Sequence, residues 1–160
     1  MSTPYSENSL VRRVQTIADY QFGGLCGTGL FPDGCEFMLS TTGRIRQILY
    51  EKRRLATVRA QDGRLTLGIE GARRLQACLP PPHYRVNVTE EVARFIADGK
   101  NVFAKHVVAA DPEIRCGDEV LVVGGDDRLL ACGTAILSGE EMLAFNYGGA
   151  VKVRQGSESR

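Results

Sequence analysis

The stretch "CLPPPHYRV" sets three prolines, Pro80 to Pro82, side by side at the middle of a chain of 160 residues. Proline fixes φ and has no N–H to donate, so neither a helix nor a central strand continues through such a triplet. Consecutive prolines favour a stiff extended link instead. The chain is therefore expected to form two domains, residues 1–82 and 83–156, with 157–160 as a frayed tail.

The first half opens with "SENSLVRRVQTIADYQFG", in which Leu10, Val11, Val14, Ile17 and Ala18 recur at helical spacing, so a helix is expected from about Glu7 to Tyr20. A glycine-rich loop, "GGLCGTGLFPDG", follows it. Then "CEFMLS", "RIRQILY", "LATVRA" and "RLTLGI" read as strands, with Asp62-Gly63 as a two-residue hairpin turn. The half closes with a short helix around "EGARRLQACL". In the second half "YRVNV", "VFAKHVV", "EVLVVG", "RLLACGTAIL" and "AVKVRQ" read as strands. Thr89 is placed to cap a helix that Gly99 ends, and Ser138 with Glu141 forms a capping box for another. The expected class is α+β: an N-terminal α+β domain, then a small mixed β-barrel with short helices.

Several functional classes find no support in the residues. No apolar run reaches the length of a membrane-spanning helix, and "MSTPYSENSL" lacks the order of a secretory signal, so a cytoplasmic protein with no membrane partner is expected. The five cysteines are odd in number, scattered, and include no Cys-x-x-Cys pair. They suit neither a disulfide framework nor a zinc knuckle, and no metal or cofactor is expected. "FGGLCGTG" lies between a helix and a strand, the reverse of the order a phosphate-cradling loop requires. Cys26 within it could serve as a nucleophile, but no histidine stands near it in sequence to activate it. The paired carboxylates Asp126-Asp127 and Glu140-Glu141 diverge in regular structure, so no catalytic residue is assigned.

Charge carries more information. The formal net charge is only +1, yet from Arg44 to Arg74 nine bases face three acids, and from Asp111 to Glu141 eight acids face two bases. Such a charge dipole favours one orientation toward a polyanion. Alternation in "RIRQI" sets Arg44 and Arg46 on one side and Ile45 on the other, which offers a basic face. In "NVFAKHVV" it groups Phe103 with Lys105 and Val107, and in "AVKVRQ" it groups Lys152 with Arg154. Those bases could equally be the wet side of an edge strand.

The motifs "ADYQFG", "STTGRIRQI", "LATVRAQDGRLTLGIEGARRL", "GKNVFAKHVVAADPEIRCGDEVLVV", "LLACGTAILSGEEMLAF" and "GGAVKVR" resemble the C-terminal region of archaeal tRNA-guanine transglycosylase, the family on the path to archaeosine. From Tyr84 onward their order is similar to a PUA domain, a pseudo-barrel found in pseudouridine synthases and these transglycosylases. The resemblance implies an RNA-binding chain and makes tRNA, held at its acceptor stem and 3′ end, the first candidate ligand. In PUA domains the loop after the first helix and the last strand contact RNA, which implies Gly99, Lys100, Asn101, Phe103, Lys105, Lys152 and Arg154 here. Arg44 and Arg46 are expected to extend that site, and the acids between Asp111 and Asp127 to face away from it. The family's catalytic part is a TIM barrel of roughly 250 residues, too large for this chain. The expected role is a stand-alone RNA grip serving a separate tRNA-modifying enzyme, without catalysis of its own. A ribosome-assembly factor, or an enzyme built around Cys26, are the alternatives. Phe103 is expected either to stack on an unpaired base or to lie in the core.

Overall fold

The structure, a computed structural model, describes residues 7 to 159. The first residues of the stretch examined for a secretory signal, and the last residue of the tail, lie outside it. Between Leu79 and Pro80 the chain divides into two compact units.

In the first unit, helix α1 (Glu7–Phe22) buries Leu10, Val11, Val14 and Ala18 along one stripe, with Ile17 half-buried beside them. It continues past Tyr20 because Phe22 also reaches the core, where it is buried. The glycine-rich loop and the single-turn helix α2 (Gly27–Leu30) then pack back against it. A Cβ on Gly27 would collide with the backbone carbonyl of Gln15, and the Gly27 N–H donates to Asp19 Oδ1 at 2.6 Å. The glycines thus permit close backbone approach, the structural use of such a residue.

Strands β1 (Glu36–Leu39), β2 (Ile45–Tyr50), β3 (Arg53–Val58) and β4 (Leu65–Leu67) form an antiparallel meander in chain order. Helix α3 (Ile69–Cys78) follows and buries Ala72 and Leu75. The β3–β4 connection is longer than the two-residue turn expected at Asp62-Gly63. The Arg59 N–H donates to the Arg64 carbonyl at 2.8 Å, and the Gly63 N–H returns to the Arg59 carbonyl at 2.9 Å, so residues 60–63 form the loop. Asp62 stabilises this longer form by accepting from the Arg64 N–H at 2.9 Å and from Arg59 Nε and Nη2 at 3.2 and 2.8 Å.

The second unit is a six-stranded sheet curled into a nearly closed pseudo-barrel. Its strands are β5 (Arg85–Val88), β6 (Val102–Phe103), β7 (Val107–Ala110), β8 (Glu119–Val123), β9 (Leu129–Ala135) and β10 (Gly149–Gly156). They lie in the order β6-β10-β9-β8-β5-β7, with only β5 and β8 parallel. β8 is buried at every position, as befits a strand covered on both faces. The core gathers Val86, Ile96, Val120, Val122, Ala131 and Met142 among others.

Helix α4 (Glu90–Ala97) ends in a Schellman motif: the Gly99 N–H donates to the Ile96 carbonyl at 2.9 Å and the Lys100 N–H to the Phe95 carbonyl at 3.0 Å. Gly99 has φ of +106°, which a side chain would strain. Thr89 occupies the N-cap position but not the expected role, since its hydroxyl makes no cap bond and is buried without a partner. Helix α5 (Gly139–Ala144) does carry the expected capping box: Ser138 Oγ accepts from the Glu141 N–H at 3.2 Å, and the Ser138 N–H donates to Glu141 Oε1 at 2.9 Å.

Two further expectations give way. "VFAKHVV" is two short strands separated by a 3₁₀ turn over Ala104–His106. The chain must cross there from one edge of the sheet to the other, which is what brings the barrel near closure. The terminal residues 157–159 are not frayed, because the Ser157 N–H reaches the Leu130 carbonyl and the Glu158 N–H the Ala97 carbonyl, both at 2.8 Å.

Candidate nucleic-acid interface

The 3₁₀ crossing decides which side chains of "GKNVFAKHVV" face solvent. Val102, Ala104 and Val107 are buried, whereas Phe103 is 50% exposed and Lys105 is exposed. The expected grouping of Phe103, Lys105 and Val107 therefore breaks at Val107, which turns inward as the new strand begins. Phe103 belongs to the surface and not to the core. Gly99 is half-buried, Lys100 is exposed, and Asn101 uses its Oδ1 to accept the Val153 N–H at 2.9 Å, fastening the loop to β10.

On β10, Lys152 and Arg154 do lie on the same side, but they differ in occupation. Lys152 is exposed, and no acid among the described residues pairs with it. Arg154 is engaged: its Nη1 and Nη2 donate to the two Glu119 carboxylate oxygens at 2.6 Å each, and Nη2 also donates to Thr134 Oγ1 at 2.8 Å. The Glu119 side chain is only 3% exposed, so this arginine neutralises a buried carboxylate. Its guanidinium braces three adjacent strands.

Signals at the same edge escaped the sequence reading. The Gly149 backbone pairs with Phe103, and the Ala104 N–H donates to the Gly148 carbonyl at 2.9 Å, so the segment between α5 and β10 runs beside Phe103. That segment carries Phe145 and Tyr147, 40% and 75% exposed, whose rings stack at 6.2 Å between centroids and 16° between planes. The clue was present in "AFNYGG": aromatics flanking Asn and Gly, outside any helical or alternating stripe, have no core position to fill. Solvent-facing aromatics beside lysines form the kind of platform on which unpaired bases stack.

The acids between Asp111 and Asp127 do not form one repelling face. Asp111 is buried and accepts from the Tyr84 and Glu113 N–H groups at 2.8 and 2.9 Å. Asp127 clamps the buried Arg85 through bonds of 3.1 and 3.0 Å, and Glu119 is taken by Arg154. Three of these carboxylates are thus engaged by backbone N–H groups and arginines.

In the first unit, Arg44 and Arg46 are exposed on either side of the buried Ile45, the arrangement read from the alternation. Other bases of the same segment are engaged: Arg53 and Arg73 lie 3.4 and 3.8 Å from Glu70, and Arg74 sits over the Tyr50 ring at 5.3 Å. Cys26 is fully buried, and burial, helped by Cys78 and Asp19, pushes its thiol up to about 11. A nucleophilic thiolate needs the opposite shift, so the geometry lends the Cys26 reading no support. Among the described residues no cluster of three or more His, Cys, Asp or Glu could hold a metal, and no helix is long and apolar enough to cross a membrane.

Comparison with known proteins gives a consistent assignment. Residues 12–82 match the patch-forming domain C2 of tRNA-guanine transglycosylase, and residues 84–156 match the PUA domain. The chain is 54% identical over 153 residues to the tRNA-guanine(15) transglycosylase of Pyrococcus abyssi, covering 96% of this chain and 26% of that protein. It is 48% identical over 145 residues to that of Methanothermobacter thermautotrophicus, covering 90% of this chain and 22% of that protein. The chain thus spans about a quarter of the length of these relatives. Among solved structures, a hypothetical protein of Pyrococcus horikoshii superposes with a TM-score of 0.72 at 26% identity, over 97% of this chain and 93% of that one. A conserved PUA domain protein of Thermoplasma acidophilum shares the fold, with a TM-score of 0.66 at 19% identity over 96% and 92% of the two chains. A C2 domain followed directly by a PUA domain, at this level of identity, gives the chain the two-domain make-up of the C-terminal region of tRNA-guanine transglycosylases.

Proposed function

We propose that this chain is an RNA-binding unit whose ligand is tRNA, and that it supplies grip and not chemistry to a tRNA-modifying enzyme. The observation that carries the reading is the barrel edge where the exposed Phe103, Phe145 and Tyr147 lie along backbone shared with Lys105, with Lys100 and Lys152 on the flanking loop and strand. Lysines there track phosphates while the aromatic rings take unpaired bases, a combination suited to the end of an acceptor stem, where duplex gives way to a single-stranded 3′ terminus. The kinship with proteins named for guanine 15 of tRNA points to the same ligand. Arg44 and Arg46 add phosphate contacts from the first unit.

The test is a fluorescence titration with intact tRNA, with the same tRNA trimmed of its single-stranded 3′ end, and with a duplex of equal charge. The expected order of affinity is intact, then trimmed, then duplex. Equal affinity for all three would overturn the acceptor-end assignment, and absence of binding would overturn the RNA reading. Labelled guanine offered together with tRNA is expected to stay unincorporated; incorporation by this chain alone would overturn the non-catalytic role.

A further inference from the structure

The first unit contains a groove of about 940 Å³ between α1 and the loop end of the sheet, a volume at the upper end of small-ligand clefts, which run roughly 300–1,000 Å³. Its lining combines two chemistries. Arg13, Arg44 and Arg46 line it, as does Arg59, and no carboxylate appears among its described lining residues. Arg59 is already neutralised by Asp62 at 2.8 Å, while Arg44 and Arg46 make no ion pair with a described residue. Ile17, Val58 and Met38 also line it, the last 54% exposed.

A lining that combines arginines with apolar side chains fits an anion that carries a flat apolar body. Duplex phosphates would track an open face and leave a cleft of this size unfilled. An unpaired nucleotide meets both chemistries: its phosphate takes the arginine forks, and its base lies against a methionine or a guanidinium plane. We propose that this groove is a second RNA site, which holds one unpaired nucleotide with its phosphate on Arg44 and Arg46 and its base on Met38. The site rests on the reading of the chain as an RNA binder. It differs from the barrel edge in carrying no aromatic ring and in being a pocket instead of a ridge.

The experiment follows backbone amide shifts of the full chain during titration with adenosine monophosphate, inorganic phosphate, adenosine and an oligoglutamate peptide. Adenosine monophosphate is expected to shift the amides of residues 40–47 and 57–63, and to bind about tenfold more tightly than inorganic phosphate, the margin expected from burying one face of a base against apolar side chains. The double substitution Arg44→Ala, Arg46→Ala should weaken adenosine monophosphate at least as much, and Met38→Ala should abolish its advantage over phosphate. Both arginines are exposed, and thermal melts of each variant confirm that the fold persists. Equal affinity for phosphate and adenosine monophosphate would overturn the base site, and tighter binding of the peptide at the same amides would make the groove a protein contact. Titration with tRNA separates this proposal from the one beneath it. If the chain binds tRNA and the double variant does so equally well, with no response to adenosine monophosphate, the groove fails together with the phosphate contacts assigned to Arg44 and Arg46, while the barrel edge stands; if the chain binds no tRNA, both fall.

Discussion

Arg154 on β10 and Glu119 on β8 form a two-pronged ion pair, with both hydrogen bonds at 2.6 Å, that spans the intervening strand β9 and takes in Thr134 on the way. The pair lies on the barrel face that also bears Lys152, so two bases two residues apart on one strand have different tasks. One holds the sheet together and the other is available to a ligand.

Arg154→Ala should therefore act on stability first. It leaves the Glu119 carboxylate, 3% exposed, with the Thr134 hydroxyl but without its arginine, and removing one member of a buried pair costs several kcal/mol. The arginine side chain is itself 28% exposed, which lets water reach part of the gap, so a loss of about 2–3 kcal/mol is expected in urea unfolding. Lys152→Ala should change stability by less than about 0.5 kcal/mol, yet lower the log–log salt slope of tRNA binding by roughly 0.7–0.9. The two variants tested side by side should give opposite profiles.

Tyr147→Ala and Phe103→Ala remove exposed rings, so their melting temperatures should stay close to that of the parent chain. Each should weaken binding to tRNA with a single-stranded 3′ end by about 1–3 kcal/mol, and hardly affect duplex. A fall in stability with unchanged RNA preference would return these residues to a packing role.

Thr89→Val should raise stability by roughly 1 kcal/mol, against the usual cost of losing an N-cap. The Thr89 hydroxyl makes no cap bond and is buried without a partner, so the substitution exchanges an unsatisfied polar atom for a methyl group of similar size. Urea unfolding of the two proteins measures the sign directly.

The thiols of Cys26 and Cys35 are both pushed up to about 11, chiefly by burial, from an ordinary value of 9.0. The folded chain therefore holds these protons after the unfolded chain has begun to lose them. Stability from this source is complete below about 9 and should fall as pH rises from 9 toward 11. Unfolding measured across that range should show a steeper decline in the parent than in Cys26→Ala, and iodoacetamide at pH 8 should label the exposed Cys116 well before either buried thiol.

The α+β class and the positions of most elements were legible because they depend on spacing along the chain. The stripe of α1, the strands "RIRQILY" and "EVLVVG" and the capping box at Ser138 each lie within a few residues, and the folded chain keeps them. Alternation also placed Arg44 and Arg46 outside Ile45, and both stay exposed at the start of β2, where the register against β1 slips by one residue.

Tertiary structure decided the rest, wherever a residue's surroundings come from far along the chain. Val107 turns inward, away from Phe103 and Lys105, because the chain turns at Ala104–His106 to reach the opposite sheet edge, a demand of barrel closure that no local period records. Arg154 looks like Lys152 in sequence, and only the register of β8, β9 and β10 brings Glu119 within its reach. The acids from Asp111 to Asp127 suggest a side turned away from RNA, but Asp111, Glu119 and Asp127 are engaged by backbone N–H groups and arginines. Sequence spacing determines which faces an element has; the pairing of distant strands determines which partner each face meets, and so which charges remain for a ligand.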